Sequence, residues 1–269
     1  MTEIFENIRK LYQFYVPDNE LADFIEFFSE SSATETFRHV ANNRFSIRMF
    51  PSWTPTFYIN LGAPYLLTVG ARQHEISSRT DVLILRNTLV ERHNLPTDHI
   101  LTVKFFPGGL EAVLGINQAQ FVDQVVNLET VLPPGLLHQI KQPAVFEERL
   151  ELLQHFFLEQ LRVRKKTNHY RTFVTDTIGT FGASGLELKT AELADRLFIT
   201  SKTINRYFHR VIGTPPKAYL ATVRTRTALS AYVANPSLFS PYDYGYYDMS
   251  HFYKDVVKFT GRKLRENVG

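Results

Sequence analysis

The chain has 269 residues, of which 44% are hydrophobic and 13% aromatic, so it can bury a sizeable core in one large domain or two medium ones. It has no cysteine, which excludes disulfides and thiolate metal sites. Its charged N-terminal segment is unlike a signal peptide, and no window approaches the run of about 18 apolar residues that a membrane span needs. We therefore expect a soluble cytoplasmic protein with no membrane partner.

Charge is distributed unevenly along the chain. Residues 170–269 hold 14 Lys and Arg against 8 Asp and Glu, a net charge of +6, while residues 1–169 hold 16 against 19, a net charge of −3. A polyanion would be attracted to the C-terminal part and weakly repelled by the rest. This distribution is typical of a nucleic-acid-binding protein with a separate second module.

The N-terminal part is rich in predicted strands. Short apolar runs are separated by Pro and Gly, and they lie at 45–50, 56–62, 65–70, 81–86 and 100–106. Such spacing indicates an antiparallel sheet or a small barrel. Gly108 and Gly109 predict a turn from strand to helix, followed by short helical pieces over 110–116 and 118–126.

A longer helix is predicted over 144–166, where Leu150, Leu153, Phe157 and Leu161 recur at three- and four-residue intervals. Its apolar face is broad enough to pack either on the β-rich domain or on a second subunit.

The polar segment 164–170 is the predicted linker, and the segments after it indicate helices joined by short turns. The predicted fold class is therefore α+β and multidomain. A β-rich, barrel-like domain with helices covers 1–165, and an all-α domain covers 166–269.

Residues 190–212 have the pattern of a helix-turn-helix unit. Thr200 is suited to cap a second helix, whose buried face would carry Ile204, Phe208 and Val211. In such a unit the second helix enters the major groove, where Lys and Arg suit guanine and Asn suits adenine. The outward-facing residues that could contact DNA are Ser201, Lys202, Asn205, Arg206, His209 and Arg210. The alternative is the solvated face of an ordinary helical bundle.

A second unit is predicted over about 240–260, after a long helix over 215–234. Gly245 would form its turn and Asp248 would cap its second helix. The residues expected to face outward are Met249, Ser250, Tyr253 and Lys254. The connecting helix, at roughly 1.5 Å per residue, would hold the two second helices about 30 Å apart, close to the roughly 34 Å between successive major grooves.

These two units together resemble the DNA-binding domain of AraC/XylS-type transcriptional regulators over roughly 100 residues. The motifs that carry the resemblance are LADRLFITSKTINRYF at 193–208, VIGTPPKAYL at 211–220, VRTRTAL at 223–229, GYYDMSHFYK at 245–254 and FTG at 259–261. By that resemblance, base contacts fall on Lys202, Asn205 and Arg206 in the first unit and on Met249, Ser250, Tyr253 and Lys254 in the second. Arg224 matches a family arginine for which a structural role and a phosphate contact are both open.

The sequence departs from that family in the second unit. Ser240 stands where the family has an aliphatic residue and Pro241 where it has a small alanine. Proline inside a helix costs about 3 kcal/mol but is tolerated at the first position, so we expect Ser240 to cap a shortened helix that begins at Pro241. Lys254 replaces a usual arginine, and Arg262 stands where a proline often follows. The second unit is therefore expected to read bases less well than the first.

The N-terminal domain resembles, over 101–132, the sensor-like domains of some regulators in this family, in which a small cupin-like barrel precedes helices. The resemblance implies a small-molecule effector and, through the 144–164 helix, a homodimer. The aromatic residues that could line a pocket are Trp53, Phe57, Tyr58, Tyr65 and Phe105. Aromatic residues in strands are core residues first, and pocket lining is the second interpretation.

An enzyme built on this domain is the third hypothesis. His74, His93 and His99 with Glu75 and Glu91 could supply metal ligands, but the tight H-x-H cluster of cupin metal sites is missing, as are nucleophile-elbow and phosphate-loop motifs. We therefore expect no catalytic site, metal or cofactor. The leading hypothesis is a sequence-specific regulator that binds double-stranded DNA and responds to a ligand. Its alternative is a sensor or protein-interaction module whose helix-turn-helix units no longer bind DNA.

Overall fold

A computed structural model describes residues 10–40, 44–95, 97–164 and 169–264. The chain divides into two compact units. The described residues from 10 to 49 and from 53 to 164 form the first unit, and 169–264 with 50–52 form the second. Within the described ranges, no helix is long and apolar enough to cross a membrane.

The first unit contains two antiparallel sheets. Its strands are β1 (Tyr12–Tyr15), β2 (Ile25–Ser31), β3 (Phe45–Met49), β4 (Pro55–Asn60), β5 (Tyr65–Val69), β6 (Arg72–Ile76), β7 (Val82–Leu85), β8 (Val90–Asn94), β9 (Ile100–Phe105) and β10 (Val125–Asn127). One sheet has the order β1-β2-β9-β4-β7-β10 and the other β3-β8-β5-β6. The predicted β-rich domain is confirmed, but no pairing between described strands joins the sheets into a closed barrel.

Three central strands, β4, β7 and β9, are buried on both faces. Along β4, Phe57 and Ile59 enter one hydrophobic core and Tyr58 enters another, because successive side chains of a strand point to opposite faces. The first core packs the six-stranded sheet against helices. The second is built from strands of both sheets. Burial on both faces explains why these strands are mostly apolar in the sequence. The buried Lys104 of β9 is paired with Glu26 at 3.1 Å.

The helices of the first unit are α1 (Ala33–Val40), α2 (Gly109–Leu114), α3 (Pro134–Ile140) and α4 (Phe146–Val163). The Gly108 turn and the long α4 are confirmed, and Gly108 has a positive φ of 76°. The predicted helix over 118–126 is wrong. Residues Gln118–Phe121 form a 3-10 turn and the next segment forms β10, because its backbone pairs with the apolar edge of β7.

Helix α4 is attached to the six-stranded sheet by a buried charge cluster. Arg149 donates from Nε and Nη2 to the Glu30 carboxylate at 2.8 and 2.6 Å, and His99 Nε2 lies 2.6 Å from the same group. Burial opposes ionisation of Glu30, but the hydrogen bonds from His99 and Arg149 outweigh it and hold the Glu30 pKa below its usual range. Leu150, Leu153 and Phe157 of α4 lie in the first hydrophobic core, so the apolar face of this helix packs within its own domain.

We predict that Arg149→Met lowers the free energy of unfolding by about 3–5 kcal/mol, because it leaves the Glu30 carboxylate buried without its cation. Urea denaturation of the full chain measures this. The matched control is Arg162→Met on the same helix, whose pair with Glu20 at 3.1 Å is exposed and should be worth less than about 1 kcal/mol. Equal losses of unfolding free energy in the two variants would contradict the conclusion that the buried Arg149–Glu30 pair attaches α4 to the sheet.

Candidate nucleic-acid interface

The second unit is helical throughout its described residues from 169 onward. Its helices are α5 (His169–Ala183), α6 (Thr190–Arg196), α7 (Ser201–Val211), α8 (Pro216–Ala234) and α9 (Met249–Thr260), with a 3-10 turn at Pro241–Tyr244. His169 and Tyr170, predicted as linker, instead begin α5.

Helices α6 and α7 form the first helix-turn-helix unit as predicted. The Thr200 hydroxyl oxygen accepts a hydrogen bond from the Thr203 N–H at 3.1 Å, which caps α7. Ile204, Phe208 and Val211 are buried, and Ala194 on α6 is buried as well. The buried face of α7 therefore fixes which of its side chains point to solvent.

The outward face of α7 is polar and basic. Lys202, Arg206, His209 and Arg210 are exposed, and Ser201 and Asn205 are half-buried. Asn205 Nδ2 donates to the Ser201 carbonyl at 2.9 Å, which leaves its second amide hydrogen and its oxygen for another partner. All six predicted first-unit residues thus share one helix face.

An aromatic cluster packs α7 against α5, and the sequence analysis did not predict it. Tyr207 lies edge-on to Tyr170 and Phe173 of α5, with ring centroids 4.9 and 5.4 Å apart. The Arg206 guanidinium lies 5.2 Å from the Tyr207 centroid. Tyr170 and Phe173 are aromatic residues three positions apart at the start of a helix, and this spacing could have indicated the cluster. The cluster restrains the helix that carries Arg206.

Helix α9 is the second helix of the second unit. Asp248 Oδ1 accepts from the His251 N–H at 2.7 Å, as the predicted cap, and Gly245 forms the turn with φ 69°. Phe252, Val256 and Phe259 are buried. The four predicted residues, Met249, Ser250, Tyr253 and Lys254, are exposed, and so is Lys258.

The first helix of this unit is reduced to the 3-10 turn Pro241–Tyr244. The turn begins at Pro241 as predicted, but the predicted cap by the Ser240 side chain is wrong, because that side chain makes no capping hydrogen bond. Ser240 contributes its carbonyl instead, which accepts from the Asp243 N–H at 3.3 Å. The turn does not support α9 alone, because Phe252 of α9 packs against Phe239, Tyr246 and Tyr232, with ring centroids 4.7, 5.3 and 5.9 Å apart.

Arg224 of α8 holds the second unit together. Its guanidinium carbon lies 4.7 Å from the Tyr246 ring centroid, and its nitrogens lie 3.4 Å from the Gly245 carbonyl and from Asp255 Oδ2. Thr225, its neighbour, lies within 3.0 Å of the Tyr246 hydroxyl. Arg224 is therefore engaged between α8 and α9.

A family model described as a helix-turn-helix domain matches residues 193–266. The matched segment spans both units, from the buried Leu193 of α6 to the end of α9. The C-terminal region is an AraC-type helix-turn-helix domain. Helix-turn-helix domains bind DNA in many transcriptional regulators, and the C-terminal region of this chain has that fold.

Solved structures similar to this chain include ToxT from Vibrio cholerae, with 10% identity, a TM-score of 0.48, and 84% of this chain and 97% of that one covered. The AraC-like transcriptional activator CuxR has 13% identity, a TM-score of 0.29, and coverage of 84% and 88%. These scores are too low for the likeness to bear on function. No curated protein matched the sequence.

Outside the AraC-type domain, the residues predicted to line a pocket divide between two cores. Phe57 and Phe105 are fully buried in the core beneath the helices, with centroids 5.0 Å apart, and Trp53 packs against that core. Tyr58 and Tyr65 lie in the core between the sheets. The five residues are therefore not brought together.

Two of the three histidines considered as metal ligands, His93 and His99, have other partners. His93 lies between Ser46 and Thr68, whose hydroxyls are 2.9 and 3.0 Å from its two ring nitrogens. His99 contacts Glu30, His74 and Glu75 lie on β6, and Glu91 lies 3.4 Å from Arg48. No group of three metal-ligating side chains occurs among the residues that the structure describes.

In the turn of the first unit a glycine should raise the stability of the protein, and in the turn of the second unit the loss of a glycine should lower it. Phe198 has φ 54° and is 95% exposed, so Phe198→Gly should relieve strain without loss of packing and raise the free energy of unfolding by about 0.5–1 kcal/mol. Gly245→Ala should lower it by about 1–2 kcal/mol or more, because a Cβ at this positive φ would lie 2.8 Å from the Leu186 carbonyl oxygen.

Chemical denaturation of the full chain measures both variants. A loss of stability in Phe198→Gly would show that its phenyl ring packs on a surface, and no loss in Gly245→Ala would show that the turn is not held against residue 186.

Proposed function

We propose that the two capped helices, α7 and α9, read successive major grooves of double-stranded DNA in a sequence-specific manner. The observation that carries the proposal is the outward face of α7, which combines a capped N-terminus with exposed Lys202 and Arg206 and the available amide of Asn205. A helix N-terminus favours a phosphate. Lysine, arginine and asparagine supply the donors and acceptors that match guanine and adenine edges.

The roles proposed for the first unit follow from reach and exposure. Arg206 and Asn205 stand one turn beyond the cap and are assigned to bases, with Lys202. Ser201 at the helix start suits a phosphate, and His209 and Arg210, further along α7, suit the DNA backbone.

In the second unit, Met249, Ser250 and Tyr253 are proposed to contact bases and Lys254 a phosphate. Arg224 is proposed as a positioning residue rather than a DNA contact, because its guanidinium is already held by Tyr246, Gly245 and Asp255. Its loss should therefore weaken binding to all sequences.

We further propose that the N-terminal domain responds to a small-molecule effector. Structures of ToxT include one bound to an unsaturated fatty acid, and that ligand is a property of ToxT. For this chain, support comes from Tyr58 and Tyr65, which lie between the two sheets. A homodimer remains a proposal from the family resemblance, since α4 packs its apolar face on its own core.

The alternative, a domain that no longer binds DNA, is favoured by the single-turn helix at Pro241 and by the modest net charge of the C-terminal part. The two are separated by the salt dependence of binding to DNA fragments from the source genome. If phosphates are contacted, log K falls linearly with log salt concentration, by about 0.9 per phosphate neutralised. Because several cationic residues line the interface, we expect a slope steeper than about −3.

Arg210→Ala and Lys254→Ala in one chain provide the control, because both residues are assigned to phosphates, and should reduce the slope by about 2. If the affinity of the wild type for DNA does not change with salt concentration, the result favours the interaction module.

Unequal contributions from the two units are the second expectation. Alanine at Lys202, Asn205 or Arg206 should each cost more than about 1 kcal/mol of specific binding, and alanine at Ser250 or Tyr253 less than that, because the helix before α9 is reduced to the single turn at Pro241. Lys254→Ala should make the affinity for DNA less dependent on salt and leave the base preference unchanged, because Lys254 is proposed to contact a phosphate. Selection from randomised sites by each variant measures the base preferences.

Arg224→Ala is the comparison, with a loss expected to be equal on specific and scrambled DNA. A stronger base preference in the half-site facing Met249 to Lys254 would show that Pro241 does not weaken the second unit.

A further inference from the structure

The outward faces of α7 and α9 differ in chemistry at matching positions. In α9 the first, second, fifth and sixth positions after the capping residue are held by Met249, Ser250, Tyr253 and Lys254. In α7 the same four positions are held by Ser201, Lys202, Asn205 and Arg206. The first and fifth positions are therefore small and polar in α7, and they carry a thioether and an aromatic ring in α9.

Met249 and Tyr253 form one patch on the surface of α9. Residues four positions apart are neighbours on the same face of a helix, and these two side chains are 43% and 39% exposed. Ser250 and Lys254 are exposed beside them. The apolar patch thus lies on the face of α9 that corresponds to the DNA-reading face proposed for α7.

The start of α9 is less positive than the start of α7. The cap of α9 is the Asp248 carboxylate, which accepts from the His251 N–H at 2.7 Å, whereas α7 is capped by the neutral hydroxyl of Thr200. The second helical position is Ser250 in α9 and Lys202 in α7. A carboxylate at a helix N-terminus neutralises the positive end of the helix dipole and repels a phosphate. Helix α9 therefore relies less on charge than α7 and more on apolar contact.

The major groove exposes one apolar group on the edges of its bases, the 5-methyl group of thymine. We propose that Met249 and Tyr253 read thymine through this methyl group, so that the half-site facing α9 is rich in thymine while α7 selects guanine and adenine. The inference rests on the proposed binding of DNA by both helices. At about 1.5 Å per residue the two side chains lie about 6 Å apart along α9, which is about two base-pair steps of roughly 3.4 Å.

The test replaces each thymine of a selected binding site in turn by uracil, which removes the methyl group and leaves the hydrogen-bonding edge intact. The half-site of α9 is the one whose base preference survives Arg206→Ala. Uracil at a contacted position in that half-site should weaken binding of the full chain about fourfold, as expected for one buried methyl group. Uracil in the α7 half-site should change the affinity less than about twofold.

The complementary replacement is 7-deazaguanine for guanine, which removes the N7 acceptor that lysine and arginine use. It should weaken binding about tenfold in the α7 half-site and have little effect in the α9 half-site. The two replacements together distinguish a methyl-reading helix from a guanine-reading helix on the same DNA.

Two double variants assign the methyl contact to the patch. Met249→Ala with Tyr253→Ala should bind thymine and uracil sites equally, because the apolar partners are removed. Met249→Leu with Tyr253→Phe keeps apolar surface of similar volume and should keep the fourfold loss on uracil. Both side chains are exposed, so the Tm of either variant should match that of the wild type. Lys202→Ala on α7 is the matched control, which should bind more weakly and remain sensitive to uracil.

The thymine contact is overturned if the wild type binds its site and tolerates uracil throughout the α9 half-site. It is also overturned if the double alanine variant stays as sensitive to uracil as the wild type, since another group then senses the methyl. In both cases DNA binding itself is observed and the proposed function stands. If the wild type binds no DNA, the proposed function and the thymine contact fail together.

Discussion

The DNA-binding arrangement depends on the length and rigidity of one helix. Helix α8 has 19 residues and, at about 1.5 Å per residue, spans about 28 Å. It is anchored by buried Tyr219, Leu220 and Leu229, and it begins at Pro216, where proline costs nothing. Because α7 lies before it and α9 after it, this spacing decides whether two reading helices can meet successive grooves.

The two units are supported in different ways. Behind α7 stands an aromatic cluster from α5, joined to the capped helix through Tyr207. The first helix of the second unit is a single 3-10 turn, and α9 is held instead by Arg224 and by Phe252, whose ring packs against Tyr232, Phe239 and Tyr246. Because the Arg224 guanidinium is held by a ring, a carbonyl and a carboxylate, we propose that Arg224 orients α9 rather than neutralising a phosphate.

Most of the C-terminal domain could be predicted from the sequence because its signals are local: caps at Thr200 and Asp248, a turn at Gly245, and apolar residues at helical spacing. The strands buried on both faces were equally visible. Strands β6 and β8 were missed because their polar residues hide the alternation, and β8 carries Arg92 inside the domain. The Arg149–Glu30 pair joins residues 119 positions apart, and nothing in a single sequence marks such a partner.

Hydroxyl-radical footprinting of the full chain on a selected DNA fragment tests the central claim most directly. If α8 holds α7 and α9 for two successive major grooves, the protected sugars should fall in patches on one face of the duplex, centred about one helical turn, roughly 10 base pairs, apart. Alanine at Lys202 and Arg206 should clear only one patch. A single protected patch, or two patches on opposite faces, would contradict the account.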